Sequence, residues 1–260
     1  MTDDPISAFD NAFKPPTKML GREARVVRKR FYKTVSVAPV VGGYTVQLDG
    51  RGVRTPGKAL IVVPVAGLAE ALAAEWHAQA VEINPSTMPL TTLACTAIDA
   101  VAANMAEVAE DIGRYASSDL LCYRAEAPAE LVERQSAGWD HLLGWASAEL
   151  GVPFARAAGL MPVSQSPKVA EAMVKALAPL DALQLSAVHV LTSLMGSALL
   201  ALSVQRGRSS LEQAWQSAHI DEQWQISRWG TDAEAEARHS ARYRTASAAA
   251  LVLELHRDKL

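Results

Sequence analysis

The spacing of apolar residues changes from two to nearly four along this chain, and the change divides it. Phe31, Lys33, Val35 and Val37 share one parity, and Tyr44, Val46 and Leu48 alternate with Thr45 and Gln47, so two half-buried strands are predicted. Asp49-Gly50 supplies the two positive φ angles of a tight hairpin turn, and Gly42-Gly43 supplies a second bend. After Pro56-Gly57, the short β-branched run from Ala59 to Val63 ends at Pro64 and predicts a further strand. The result is a β meander with one covered face.

Helical spacing begins near Val65, where Leu68, Leu72 and Trp76 recur at i, i+4 and i+8 in a helix suited to cover the sheet. Residues 84–90 hold Pro85 and Pro89 and read as a connector, after which Met105, Val108, Ile112 and Tyr115 repeat helically. From there no strand is expected. Pro128 opens a helix with Leu131, Gln135, Trp139, Leu142, Leu143, Ala146 and Leu150 on its apolar side, closed by Gly151. Pro162 and Pro167 bracket a loop, residues 168–177 form a short helix, and residues 183–204 read as one nearly all-apolar helix at the hub. Ser209 with Glu212 and Thr231 with Glu234 have capping-box spacing, and Gly230 stops the first of these two helices. The predicted class is α+β: an extended arm over residues 1–21 with Pro5, Pro15 and Pro16, a small β-rich domain with its covering helix over 22–100, and a larger all-α domain over 101–260.

Half of the 260 residues are hydrophobic, enough for a sizeable core. The formal charge of -3 gives no global reason to bind nucleic acid or an anionic membrane. Cys95 and Cys122 are far apart and suggest neither a disulfide framework nor a metal site. The first twenty residues carry acids and prolines rather than a secretory or Arg-rich leader, so a bacterial cytoplasmic protein is expected, the mitochondrial matrix being the organellar equivalent. Residues 185–204 are interrupted by Ser186, His189, Thr192, Ser193, Ser197 and Ser203, so a buried helix is expected rather than membrane insertion.

Candidate chemistry is sparse. Gly52 to Lys58 meets the G-x-x-x-x-G-K pattern, but Ala59 replaces the hydroxyl residue, Pro56 removes a donor, and a strand follows where a phosphate loop needs a helix. The basic stretch Arg22, Arg25, Arg28, Lys29, Arg30 and Lys33, beside Phe31 and Tyr32, offers an alternative reading as a nucleic-acid adaptor; the plainer reading is a solvated approach to the first strand. None of His77, His141, His189, His219, His239 and His256 has ligand spacing, and no nucleophile elbow appears. No catalytic residue, metal, cofactor or small-molecule substrate is expected.

The most informative stretch is a predicted helix over residues 211–229. Leu211, Trp215, Ala218, Ile226 and Trp229 form one stripe with Glu222 in its middle, while Ile220 and Trp224 lie opposite. Either Glu222 pairs internally, with Arg124, Arg238 or Arg242, and both apolar faces are core, or one face is an interaction surface around a specifying charge.

Several segments resemble one family. They are Arg30-Phe31-Tyr32-Lys33, Leu48-Asp49-Gly50-Arg51, Glu75-Trp76, Met88 to Leu93, Asp119 to Arg124, Gln135 with Trp139-Asp140, and Glu222 to Gly230. In order and spacing they resemble the assembly chaperones of the F-type ATP synthase found in mitochondria and α-proteobacteria. The resemblance implies an α/β N-terminal unit, a helical C-terminal unit, no ATPase activity, and binding of the unassembled α subunit at the surface that later meets β. It further implies a functional glutamate, matched here by Glu222 with Asp221 beside it, in a segment that includes Gln225 and Trp229; the stripe adds Trp215 as a candidate for the same partner-binding surface. Glu75, Trp76, Asp119, Tyr123, Arg124 and Trp139 then mark structural positions, with Trp76 expected in the core.

Overall fold

The computed structural model describes residues 28–159 and 163–257. The arm over 1–21, Arg22, Arg25 and Pro162 lie outside them. The chain divides into two compact units, Met1–Asn104 and Met105–Leu260.

In the first unit β1 (Arg28–Lys29) pairs antiparallel with β5 (Glu82–Ile83). A three-stranded antiparallel sheet holds β2 (Val35–Val40), β3 (Gly43–Leu48) and β4 (Arg51–Gly52), with Val37 opposite Val46 and Leu48 opposite Arg51. Asp49 and Gly50, at φ 48° and 79°, make the turn between β3 and β4. The class is α+β, as the change of period implies.

Three strand expectations need correction. Phe31 does not share a strand with Val35: the ladder starts at Val35 because the Asp49 carboxylate takes the Lys33 and Thr34 N–H groups at 3.0 and 2.8 Å. Phe31 is left exposed, whereas Tyr32 is buried. Residues 59–63 form only isolated bridges, Arg54 with Leu60 and Tyr44 with Val63. Thr45, expected outward, is buried and donates its hydroxyl to the Ile61 carbonyl at 2.7 Å. Its polar group is satisfied by the chain that returns beside it.

Helix α1 (Ala66–His77) packs Leu68, Ala69 and Leu72 on the sheet, beside Val46, Leu48, Ile61 and Val63. The proline-bearing connector is shorter than expected, because Pro85–Thr87 is a 3₁₀ turn and Pro89 occupies the first turn of a helix, α2 (Pro89–Asp99). Glu75 on α1 caps that helix from outside. Its carboxylate accepts from the Leu90 and Thr91 N–H groups and from the Thr91 hydroxyl, each at 2.7 Å. Burial pushes the Glu75 carboxyl above its ordinary pKa, and the three bonds oppose that rise.

The Gly52 to Lys58 loop turns on Thr55 and Gly57, whose hydroxyl and N–H go to Asp99 at 2.6 and 2.8 Å. A side chain of this unit, not a phosphate, fills that loop.

The second unit comprises α3 (Met105–Ser117), α4 (Ala129–Leu150), α5 (Lys168–Leu177), α6 (Ala182–Met195), α7 (Ala198–Gln205), α8 (Leu211–Ala218), α9 (Ile220–Trp229) and α10 (Ala233–Arg257). The expected single hub helix is two, since Gly196 at φ 66° ends α6 and Ser197 caps α7 by accepting from Leu200 N–H. Helix α6 packs against α3 and α10, and α7 against α4 and α8. No single helix among the described residues is long and apolar enough to cross a membrane. A parallel pair of two-residue strands, β6 (Tyr123–Arg124) and β7 (Ala157–Ala158), also stands where no strand was expected.

Buried Asp119 joins distant parts of this unit. It accepts from Leu121 N–H at 3.1 Å, the Ser197 hydroxyl at 2.7 Å and Leu199 N–H at 3.0 Å. Burial still pushes its carboxyl up to about 6. His189, read from the sequence as a core histidine, bonds Asp111 at 2.8 Å.

Candidate client-binding surface

The predicted helix over 211–229 breaks at His219, whose φ of -113° and ψ of 22° lie outside the helical range. The break undoes the single stripe. Upstream, Ala214 and Trp215 are buried; downstream no residue of α9 is, and Ile226 and Trp229 stand 41% and 75% exposed. The capping box also shifts by one residue, to Ser210 with Gln213, because the chain turns at Ser210. Glu234 N–H is met by Asp232 at 3.2 Å instead of by Thr231.

Trp215 therefore belongs to the core and not to the partner-facing surface expected for it. Its indole N–H donates to His239 Nε2 at 2.9 Å, and its ring lies 4.3 Å from that of His219 and 5.3 Å from that of Tyr243. His219 Nδ1 meets the Trp215 carbonyl at 2.8 Å, so that nitrogen carries the proton and donates. Burial holds the His219 pKa below its ordinary value, so the ring is neutral near pH 7. Its other nitrogen lies 3.9 Å from the Glu222 carboxylate.

Beneath α9 lies a polar buttress. Buried Gln135 on α4 donates to Asp221 Oδ1 at 2.7 Å and accepts from Ala125 N–H at 2.8 Å. Arg124 donates to the carbonyls of Leu121 and Gln135, pairs with Asp140 at 2.9 Å, and lies 5.1 Å from the Trp139 ring centre. Burial lowers the Arg124 pKa, with Asp140 opposing. Trp139 is fully buried and donates its indole N–H to the Ser217 carbonyl at 2.7 Å. Gly138 allows close packing here, since a β-carbon would sit 2.4 Å from Ile220 Cδ1. Arg228 pairs with Glu130 on α4 and covers the Trp224 ring at 5.5 Å. Tyr123 is half-buried in β6.

The structure thus brings Arg124, Gln135, Trp139 and Asp140 into the support, places Asp119 at the start of α7 instead, and leaves Glu222, Gln225, Ile226 and Trp229 outside. Asp221 positions the helix through Gln135. Glu222 is not central to an apolar stripe, and none of the three arginines considered for it pairs with it: Arg124 is with Asp140, Arg238 with Glu234 at 2.6 Å, and Arg242 on the Leu194 carbonyl at 2.6 Å. Sequence reasoning missed Arg228, Glu130 and His219, whose partnerships follow from the break and from the return of α4. The Trp224 indole N–H is covered yet has no acceptor among the described residues.

Trp76, expected in the core, is half-buried in the first unit, where its carbonyl accepts from the Tyr32 hydroxyl at 2.6 Å. Arg30, from the basic stretch, donates to the Tyr32 and Gln79 carbonyls and covers the Tyr32 ring at 4.7 Å.

Residues 29–147 match the family of the ATP12 chaperone protein. Over 215 residues the chain is 27% identical to the mitochondrial protein atp12 of Schizosaccharomyces pombe, covering 78% of this chain and 74% of that one. The crystal structure of Atp12 from Paracoccus denitrificans is similar at a TM-score of 0.81 with 41% identity, over 88% of this chain and 98% of that one. A candidate chaperone from Agrobacterium tumefaciens is similar at a TM-score of 0.83 with 45% identity, over 88% of this chain and 86% of that one.

Proposed function

This chain belongs to the ATP12 chaperone family, whose work is ATP synthase assembly, and we propose that it holds the unassembled α subunit through the outer face of α9. The observation that carries this reading is a ten-residue helix with no buried residue, presenting Ile226 and Trp229 to solvent beside the exposed carboxylate of Glu222, which no arginine among the described residues pairs. Large exposed aromatic residues around a charge are the composition of binding hot spots, and a rigid support lowers the ordering cost of docking. An α subunit without its β neighbour exposes apolar surface that aggregates, and a surface of this kind covers it until β competes. The action is one of holding, without catalysis or a nucleotide.

Capture of separately expressed α and β subunits on the immobilised full chain tests the reading. Capture of α but not β is expected, and Glu222→Ala should leave the melting temperature unchanged while weakening capture about tenfold. Equal capture of both subunits, or normal capture by the folded variant, would overturn it.

A further inference from the structure

The first unit carries a groove of about 790 Å³ that the α9 reading does not use. Tyr32, Leu48, Val53, Trp76, Met88 and Cys95 line it, with Phe31 at its mouth. Most of these are core residues on their inner sides: Tyr32, Leu48, Val53, Met88 and Cys95 are buried, and burial pushes the Cys95 thiol up to about 11, so it acts as apolar lining. Phe31 is different. It is 69% exposed, although Asp49 fixes the backbone that follows it and the Arg30 N–H is bonded to the Val81 carbonyl at 2.9 Å. An aromatic ring kept in water on a fixed backbone is an apolar surface without its cover.

The charged groups of the lining are Asp49, Arg51 and Arg54. Asp49 is already committed, since its carboxylate accepts from Lys33 N–H, Thr34 N–H and the Thr34 hydroxyl, and those bonds hold its pKa below the ordinary range. Arg54 donates one bond to the Lys58 carbonyl at 2.8 Å and keeps its other donors for solvent. Asp49 stays ionised, and the two guanidiniums outnumber its one carboxylate, so the rim is net positive on a chain whose formal charge is -3.

We infer that this groove is a second docking site, and that it takes an extended polypeptide segment in which bulky apolar side chains alternate with carboxylates. The apolar side chains enter between Phe31 and Trp76, and the carboxylates meet Arg51 and Arg54 at the rim. A lining of Phe, Tyr, Trp, Met and Arg has the composition of protein–protein interface cores. Alternation suits the site because an extended chain sends successive side chains to opposite sides, one toward the apolar floor and the next toward the basic rim. The inference stands apart from the α9 reading, since it rests on residues 31–95 alone.

The test is fluorescence anisotropy of a labelled octapeptide of alternating leucine and glutamate, titrated with the full chain. Saturable binding tighter than about 1 mM is expected, weakened about tenfold by the Arg51→Glu, Arg54→Glu double variant and several-fold by Phe31→Ala, and unchanged by Trp229→Ala. These replacements lie at exposed positions and leave the fold in place. Equal binding of a leucine–lysine octapeptide, unchanged binding by the double variant, or loss of binding in Trp229→Ala would overturn the inference. So would no saturable binding, or binding of dodecanoate without binding of the peptide.

Discussion

Helices α7 and α9 belong to the same unit and differ little in length, yet their burial is opposite. All of α7 except Gln205 is buried, whereas α9 has no buried residue at all. Both are ended by polar and glycine signals, so local sequence rules form each of them equally well. The difference lies in what packs around them: α7 has neighbours in α4 and α8, whereas α9 rests on α4 through Gln135, Ile220 and Arg228. A helix whose packing is complete contributes stability; one held from a single side leaves its outer face to solvent, and that face is the one proposed to dock a partner.

The contrast can be broken at its buried end first. Leu200→Ala in α7 empties a fully buried site and should cost about 3 kcal/mol, lowering the melting temperature by about 6 to 12 °C in a calorimetric scan. Capture of the α subunit per folded molecule should not change. At the exposed end the pattern inverts: Trp229→Ala should move the melting temperature by under about 2 °C yet weaken capture about 30-fold, as measured by surface-bound titration.

A third test, read as a dependence on pH, concerns Asp119, beneath α7. Its folded-state carboxyl, at about 6, lies above the value of about 3.9 in an unfolded chain, so the folded state holds the proton more tightly. That contribution is fully present below about pH 4 and is lost as pH rises through about 6. Asp119→Asn cannot titrate, so the stability of the wild type relative to this variant should fall across that window in denaturant melts. A difference that rose with pH there would contradict the assignment.

Much of the fold was legible because period and turn chemistry are local. Asp49-Gly50 made its turn, α1 and α4 formed where Leu68, Leu72 and Leu131 to Leu150 placed them, and the class followed. The errors arose where one residue outweighed the period. Gly196 interrupts an apolar run that reads as continuous, Pro89 starts a helix instead of extending a connector, and His219 turns the chain in the middle of an amphipathic pattern. The surface proposed for a partner was less legible. Glu222, Gln225 and Trp229 fall exposed on one helix, but the bond from Gln135 to Asp221 spans 86 positions, and nothing in the local spacing of either residue announces it. Trp215 and Trp229 look alike by period; only the break assigns one to the core and the other to water.

The linkage at Asp119 also sets a timetable for synthesis. Its carboxylate is satisfied by Ser197 and Leu199, which follow it by 78 and 80 residues. At a translation rate of about 5 to 20 residues per second, those partners leave the ribosome about 4 to 16 s after the aspartate does. For that interval the acid has only the nearby Leu121 N–H and water for partners, so the helical unit cannot close around it until α7 has emerged.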